Sequence, residues 1–160
     1  MYLNSGIGRI MTKPKSEIDP FGIENEELFQ SILASSNEEP LAIVNLLKFR
    51  DVAHYDTHRP ESRLRLTGRD AYQKYIGYSR PILAEHGATT ILLGDQVQYV
   101  VGEGRWDAIW INRYPNVQAL AATISNPRLT SNLYHRDAGL ENQANLITNF
   151  VESLSATKSG

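Results

Sequence analysis

A nine-residue apolar segment, Leu41–Phe49 (LAIVNLLKF), constrains the fold of this chain more than any other feature. It follows Pro40 and ends before Arg50, so it is much shorter than the roughly 18 apolar residues that cross a membrane. A short apolar run between such breakers predicts a β-strand that is buried on both faces. That strand needs cover on two sides, and Asn45 places a single polar amide in its middle.

Hydrophobic periodicity assigns the other elements around this strand. The predicted elements are, in chain order, a helix at 24–35, a long loop at 50–66, a helix at 68–86, extended chain at 89–101, a strand at 105–114, helical segments at 116–125 and 126–137, and a strand at 140–150. The helix at 68–86 is expected to kink or split near Pro81. In the last strand, alternate residues are expected on one face: Leu140, Asn142, Ala144 and Leu146.

The order after the first helix is β-α-β-β-α-β, which is the ferredoxin-like order. The sequence therefore predicts an α+β fold with an extra N-terminal helix and with helices on one face of a four-stranded antiparallel sheet. A second subunit is the simplest cover for the other face, so we expect a homodimer. The predicted domain covers 20–150, between a flexible arm at 1–19 and a tail at 151–160.

Charge and composition exclude several functional classes. The chain has 16 basic and 18 acidic residues, a balance that creates no field for nucleic acid or for anionic lipid. It has no cysteine, so disulfides, thiolate metal sites and a cysteine nucleophile are excluded. His54 and His58 lie in a loop that does not organise a metal site, and motifs for nucleotide cofactors or serine hydrolysis are absent. We expect a cytoplasmic protein without metal, cofactor, nucleic-acid or membrane partners.

Several segments together resemble an uncharacterised group of the dimeric α/β-barrel superfamily, which also contains EthD-type proteins, antibiotic-biosynthesis monooxygenases and haem-degrading monooxygenases. The segments that carry the resemblance are Val44–Arg50, Gly68-x-x-Ala71-Tyr72-x-x-Tyr75, Pro81-Ile82-Leu83, Gly102, Trp106-Asp107, Arg113-Tyr114-Pro115 and His135-Arg136-x-Ala138-Gly139-Leu140. The resemblance implies a homodimer whose two sheets pack into a barrel. It also implies a pocket between the sheet and the helices of each subunit.

Asn45, Trp106, Trp110 and His135 are similar to the Asn-Trp-His set of cofactor-free or haem-degrading oxygenases in that superfamily. The resemblance implies that His135 acts as a base or a haem ligand and that a tryptophan shapes the pocket. We predict that Trp106 and Trp110 share one face of their strand. The alternative is that both tryptophans belong to the core and that His135 lies at the surface or caps a helix.

Other candidate site residues follow from their chemistry and position. Asn45 is predicted either to orient a ligand carbonyl or dioxygen or to make a structural hydrogen bond to a neighbouring element. Tyr72 and Tyr75 lie on the inward stripe of the second helix, where each is either a general acid or a core residue with a satisfied hydroxyl.

Two arginines are candidates for anion binding. Arg113 and Arg136 are predicted either to hold the anionic end of a substrate or to form structural ion pairs, with Asp107 as a candidate partner of Arg113. Lys48 is expected on the opposite face of its strand from Asn45.

These residues favour an enzyme of secondary metabolism that acts on an aromatic or polyketide-like substrate by acid/base chemistry. Cyclisation, isomerisation and cofactor-free oxygenation all fit. The alternatives are a non-catalytic dimeric ligand-binding protein and a haem-handling monooxygenase.

Overall fold

The computed structural model describes residues 25–150. The arm at 1–19 and the tail at 151–160 lie outside the described residues. The described elements are α1 (Glu26–Leu33), β1 (Leu41–Phe49), a 3₁₀-helix (Pro60–Arg63), α2 (Gly68–Glu85), β2 (Thr89–Asp95), β3 (Ala108–Tyr114), α3 (Val117–Ile124), α4 (Pro127–Thr130), α5 (Leu133–Gly139) and β4 (Leu140–Asn149). No helix in this part of the chain is both long enough and apolar enough to span a membrane.

The four strands form one antiparallel sheet in the order β2-β3-β1-β4. The apolar segment at 41–49 is therefore a central strand with a neighbour on each side. The sequence predicted burial on both faces; helices cover one face, and Val44 and Leu46 on the other are half-buried. The fold is α+β, and the second helical region is divided into α3, α4 and α5. Asn116 and Asn126 accept backbone hydrogen bonds at the first turns of α3 and α4, and Pro127 follows the second of these caps.

Strand pairing shows which side chains share a face of the sheet. Asn45 lies opposite Trp110 and Leu47 lies opposite Ala108, on the face that the helices cover. Along each strand, the residues that alternate with these point to the opposite side of the sheet. They form what we call the open face: Val44, Leu46, Leu92, Ile109, Ile111, Ala144 and Leu146. On this face Leu92 is 46% exposed and Leu146 is 49% exposed, whereas the four residues on β1 and β3 are half-buried.

Two local predictions are corrected. Helix α2 runs from Gly68 to Glu85 with Pro81 inside it, so the split that was one expected effect of Pro81 does not occur. Pro81 is exposed, so water can replace the backbone hydrogen bond that proline removes.

The second correction concerns the start of β4. Leu140 pairs with Phe49 but Asn142 pairs with Lys48, so one residue of β4 is unmatched and the alternation changes phase. Leu140 is fully buried in the helix-covered core, and only Asn142, Ala144 and Leu146 share the open face.

The backbone of Gly68, which begins α2, lies close against that of Gly139, which ends α5. A Cβ atom at Gly139 would lie 2.5 Å from the carbonyl oxygen of Gly68 and 3.0 Å from the amide nitrogen of Tyr72. Around this point the Arg50 amide donates to the Gly139 carbonyl at 2.9 Å, and the Gly68 amide donates to the Arg50 carbonyl at 3.0 Å. We call this contact the Gly68–Gly139 crossing, and no residue with a Cβ fits it without movement of the backbone.

We predict that Gly139→Ala destabilises the fold by more than about 2 kcal/mol, because the added methyl group meets backbone atoms that cannot move independently. The measurement is the free energy of unfolding in urea. Gly77→Ala is the matched control, since a Cβ atom there meets nothing within 4 Å. That change lies inside α2 and should stabilise the chain by about 0.5–1 kcal/mol. Equal effects of the two changes would contradict the role of the crossing.

Candidate functional site

Helix α2 places two tyrosines against the sheet. Its first turn is fixed by a capping box, in which the Asp70 amide donates to the Thr67 hydroxyl and the Thr67 amide donates to the Asp70 carboxylate. Tyr72 is 3% exposed, and its ring centroid lies 5.5 Å from that of Tyr75. Both rings meet Trp110 edge-on, with centroid distances of 6.3 Å and 6.4 Å. Because Trp110 pairs with Asn45 on β1, four sequence-predicted residues come together here.

The side-chain amide of Asn45 makes one structural hydrogen bond and can form others. Its Nδ2 donates to the backbone carbonyl of Trp110 at 2.8 Å, which is the neighbouring-strand bond that the sequence left open as one alternative. Within the described part of the chain, its Oδ1 accepts no hydrogen bond. The half-buried amide can therefore still accept one hydrogen bond and donate another.

Three tyrosine hydroxyls on the helix-covered side make no hydrogen bond within the described part of the chain, those of Tyr72, Tyr75 and Tyr114. The rings of Tyr72 and Tyr75 contact Trp110, whereas Tyr114 lies opposite Leu41, four residues along β3 from Trp110. A tyrosine hydroxyl in a helix–sheet interface ordinarily has a partner. We call Asn45, Tyr72, Tyr75 and Tyr114 the tyrosine–amide site.

Burial raises the pKa of all three tyrosines in this site. The positive charge of Arg136 opposes that rise at Tyr72 and Tyr75, which places Arg136 on the same side of the sheet. The phenols therefore stay protonated at neutral pH, and each offers a hydrogen to an acceptor atom. The site suits an uncharged or negatively charged oxygen better than a cation.

The two arginines lie on opposite faces of the sheet. Arg136 is half-buried on α5 and binds the Asp137 carboxylate through Nε and Nη2, both at 2.8 Å. Arg113 points to the open side, and its guanidinium lies 5.5 Å from the ring centroid of Phe150. They do not form one anion site. Asp107, the expected partner of Arg113, instead accepts hydrogen bonds from Lys48 Nζ and from the Phe49 amide, both at 2.8 Å.

Trp106 does not share a strand with Trp110, so that prediction is wrong. Strand β3 begins at Ala108, because its neighbour β2 ends at Asp95, opposite Ala108. The preceding segment is irregular and includes Gly102 at a φ of +82°. Trp106 lies in this segment, where its backbone amide donates to the Tyr99 hydroxyl at 3.3 Å.

A buried polar chain supports Trp110 from the β2 side. The indole Nε1 donates to the Thr90 hydroxyl at 3.2 Å, and this hydroxyl donates to Asn112 Oδ1 at 2.9 Å. Asn112 is 3% exposed. Sequence reasoning missed Asn112 and Thr90, although Asn112 lies two residues after Trp110 in β3, a spacing that places both on one face.

His135 lies in a second group of side chains, formed by the long loop, α2 and α5. The histidine is 1% exposed, so the alternative of a surface residue is wrong. Its Nδ1 is 2.8 Å from the Tyr55 hydroxyl, and its ring is stacked on Tyr78 and tilted against Tyr134. Arg59 lies 3.9 Å over the Tyr134 ring. We call these five residues the His135 cluster, and in the described chain no three histidine or acidic side chains are grouped to hold a metal.

Burial determines the ionisation of this cluster. It lowers the pKa of His135, a shift that the carboxylate of Glu61 opposes and that Lys74 and Arg59 reinforce. Burial also raises the pKa of Tyr55 to about 12, with help from Glu61 and Tyr134. At neutral pH, His135 is therefore a neutral imidazole beside the protonated phenol of Tyr55. Their hydrogen bond attaches the long loop to α5 without a charge on either partner.

Acid should weaken the fold through His135. Its folded-state pKa lies below the ordinary value of about 6.5, so the unfolded chain takes up a proton first as the pH falls. The contribution of neutral His135 to the free energy of unfolding is therefore fully present above pH 6.5 and declines as the pH falls below that value. We predict that the urea midpoint falls more between pH 7 and pH 5 in the unmodified chain than in His135→Gln. His58→Gln, at an exposed position, should keep the full decline; equal slopes for all three proteins would contradict this account.

Comparison with solved structures identifies proteins that this chain resembles to different degrees. The RPA0582 protein of unknown function from Rhodopseudomonas palustris has a TM-score of 0.69 and 26% identity, covering 82% of this chain and 97% of its own. The structure of methylated RPA0582 protein has a TM-score of 0.71 and 25% identity, covering 83% and 96%. A dimeric protein of unknown function with a ferredoxin-like fold from Bacteroides fragilis has a TM-score of 0.43 and 14% identity, covering 69% and 96%.

No curated protein matches this chain. The model of one protein family does match it, over residues 62–150, which is more than half of its length. The matched segment runs from the end of the long loop through β4, and it contains Tyr72, Tyr75, Tyr114 and the whole His135 helix. The chain therefore belongs to the family defined by the domain of unknown function DUF1330.

Proposed function

We propose that this protein binds a small organic molecule through an oxygen atom at the tyrosine–amide site. The observation that carries the proposal is that Tyr72 and Tyr75, whose hydroxyls make no hydrogen bond within the described chain, contact Trp110, the strand partner of Asn45, whose amide has one further donor and a free acceptor; Tyr114, on the same face of β3, also has an unbonded hydroxyl. Polar groups at a helix–sheet interface are normally satisfied within the fold. A ligand oxygen that accepts from these hydroxyls would supply the missing partners.

The surroundings of the hydroxyls favour an aromatic or polyketide-like carbonyl compound. The rings of Tyr72, Tyr75 and Trp110 form aromatic walls, against which a flat unsaturated ligand packs well. Burial raises the pKa of the tyrosines, so their hydroxyls stay protonated and can donate; Arg136, which is paired with Asp137, opposes that rise at Tyr72 and Tyr75. A carbonyl oxygen accepts from donors of this kind.

The same donors would stabilise negative charge on the carbonyl oxygen. Such charge develops when a proton leaves the carbon next to a carbonyl group, and fixed donors directed at that oxygen lower the barrier. For isomerisation or cyclisation, Tyr72 and Tyr75 would donate to the carbonyl oxygen, Asn45 would polarise the carbonyl group, and the proton that leaves the neighbouring carbon would pass to a water molecule. We do not extend the proposal to haem, because His135 is 1% exposed and its Nδ1 is bonded to Tyr55.

We further propose that two copies of the chain pair through the open face. This face is apolar from β2 to β4, and Leu92 and Leu146 are nearly half exposed at its two sides. Contiguous apolar surface of this kind marks an interaction site. The resemblance to dimeric α/β-barrel proteins supports a second copy as the occupant, since a two-fold pair of such sheets closes a barrel.

We predict that Tyr75→Phe weakens binding of acetophenone, a simple aromatic ketone, by roughly three- to tenfold, the loss of one hydrogen bond. Isothermal titration calorimetry measures this. Tyr78→Phe is the matched control, because Tyr78 lies on the same helix but is 51% exposed and contacts His135. Proton exchange of the ketone methyl group in D₂O, followed by NMR, separates turnover from binding. Equal affinities for both variants and the unmodified protein would contradict the proposed site.

We predict that Ile111→Lys converts a dimer to a monomer, because the change places a charge at the centre of the open face. Analytical ultracentrifugation gives the mass. Leu64→Lys is the control, since Leu64 is 59% exposed in the long loop and lies outside the open face. A monomeric unmodified protein, or a dimer that persists in Ile111→Lys, would contradict this interface.

A further inference from the structure

Trp110 connects the parts of the tyrosine–amide site. Its backbone carbonyl accepts the hydrogen bond from Asn45 Nδ2 at 2.8 Å, and its indole meets the rings of Tyr72 and Tyr75 edge-on. Three of the four site residues therefore contact this one tryptophan. The strand fixes the carbonyl, but the indole can still turn, because the last torsion of a tryptophan side chain has two broad minima. The group that holds the indole therefore determines the surface on which both tyrosines pack.

A hydrogen bond to Thr90 selects the orientation of the indole. Trp110 Nε1 donates to the Thr90 hydroxyl at 3.2 Å, and an indole N–H can act only as a donor. The Thr90 hydroxyl donates in turn to Asn112 Oδ1 at 2.9 Å, so its one hydrogen is used and its oxygen is left to accept from the indole. An indole turned by half a revolution about its last torsion would carry its N–H away from Thr90.

The pairing of β2 with β3 brings the Thr90 hydroxyl to the indole. Thr90 lies directly opposite Asn112, and Trp110 lies two residues before Asn112 on the same face. Diagonal neighbours of this kind are within reach of an aromatic side chain. β2 also has an extra residue directly after Thr90, between the positions that pair with Asn112 and Ile111, and such irregularities change the direction of neighbouring side chains. Trp110 and Asn112 are each 3% exposed, so water competes little for their bonds to Thr90.

We propose that Thr90 is a positioning residue for the tyrosine–amide site and that it sets the preference of the site for a flat aromatic ring. This inference rests on the proposed function and narrows its substrate class. Thr90 acts through Trp110, whose indole it holds in one orientation, and that indole supports the rings of Tyr72 and Tyr75. A flat unsaturated ring packs closely against these aromatic walls, whereas a puckered saturated ring of the same size does not.

Two ketones measure this preference. Acetophenone and cyclohexyl methyl ketone carry the same acetyl group, but only acetophenone has a flat aromatic ring. Acetophenone should bind roughly two- to tenfold more tightly to the unmodified protein, the contribution of a specific aromatic contact. In Thr90→Val, which keeps the branched shape and loses the hydroxyl, the ratio of the two affinities should fall to about one. In Thr90→Ser, which keeps the hydroxyl, the ratio should be retained. Isothermal titration calorimetry gives both affinities.

Thr89→Val is the matched control, because Thr89 is the neighbouring threonine, is exposed and pairs with Arg113 on the open side of the sheet. It should leave the ratio unchanged. The NMR signal of the Trp110 indole N–H, assigned in a Trp106→Phe background, reports the hydrogen bond without any ligand. This signal should shift in Thr90→Val and stay in place in Thr90→Ser. Thermal melts show which variants fold, and Thr90→Ala provides a second variant without the hydroxyl.

The outcomes separate this inference from the proposed function. If the indole signal shifts in Thr90→Val while the affinity ratio stays that of the unmodified protein, Thr90 serves folding alone and the inference falls, whereas the oxygen site stands. A ratio near one in the unmodified protein, or a ratio that falls equally in Thr89→Val, also overturns the inference. If Tyr75→Phe weakens neither ketone, the oxygen site is wrong and the inference falls with it.

Discussion

The Gly68–Gly139 crossing is the contact on which the rest of the described structure depends. At this point the end of β1, the start of α2 and the end of α5 are joined by backbone hydrogen bonds through Arg50. The distance between the two helices is set by the absence of side chains at both glycines. Because Tyr72 and Tyr75 follow Gly68 on α2, and His135 and Arg136 precede Gly139 on α5, the crossing determines where all four residues lie.

The two groups of polar side chains that depend on this crossing differ in one physical respect. In the His135 cluster, one hydrogen bond joins the imidazole Nδ1 to the Tyr55 hydroxyl, and aromatic rings pack around the pair. That arrangement fastens the long loop to α5. In the tyrosine–amide site, three hydroxyls have no partner, although burial raises their pKa and removes much of their hydration. Unmet hydrogen-bonding capacity reduces stability, and a ligand oxygen that accepts from these hydroxyls would recover part of that loss.

The sequence predicted those features that depend on local pattern. The bounds of β1 follow from its apolar run between Pro40 and Arg50, and the start of α2 follows from the cap at Thr67. Periodicity also predicted the inward positions of Tyr72 and Tyr75 on α2, where both rings contact Trp110. It failed where pairing between distant segments decides the outcome. No local pattern marks the unmatched residue after Leu140. None marks the end of β2 at Asp95 either, which leaves Trp106 outside the sheet.

Contacts across long sequence separations were also beyond prediction from pattern alone. Tyr55 meets His135 across 80 residues, and Thr90 meets Trp110 across 20 residues. Neither pair is marked by spacing or composition. Strand alternation determines the face on which Arg113 lies, and the position of α5 determines where Arg136 lies. Only the three-dimensional fold shows that the two arginines are on opposite sides of the sheet.

The most direct test of the central claim is a crystal structure of the protein with acetophenone bound. The account predicts that the ketone oxygen lies within about 3 Å of the Tyr75 hydroxyl, at hydrogen-bond distance. A structure in which the hydroxyls of Tyr72, Tyr75 and Tyr114 are bonded to protein atoms, with the ketone elsewhere, would contradict it. The open tyrosine–amide site would then be part of a satisfied core, and the function would have to be sought on another surface.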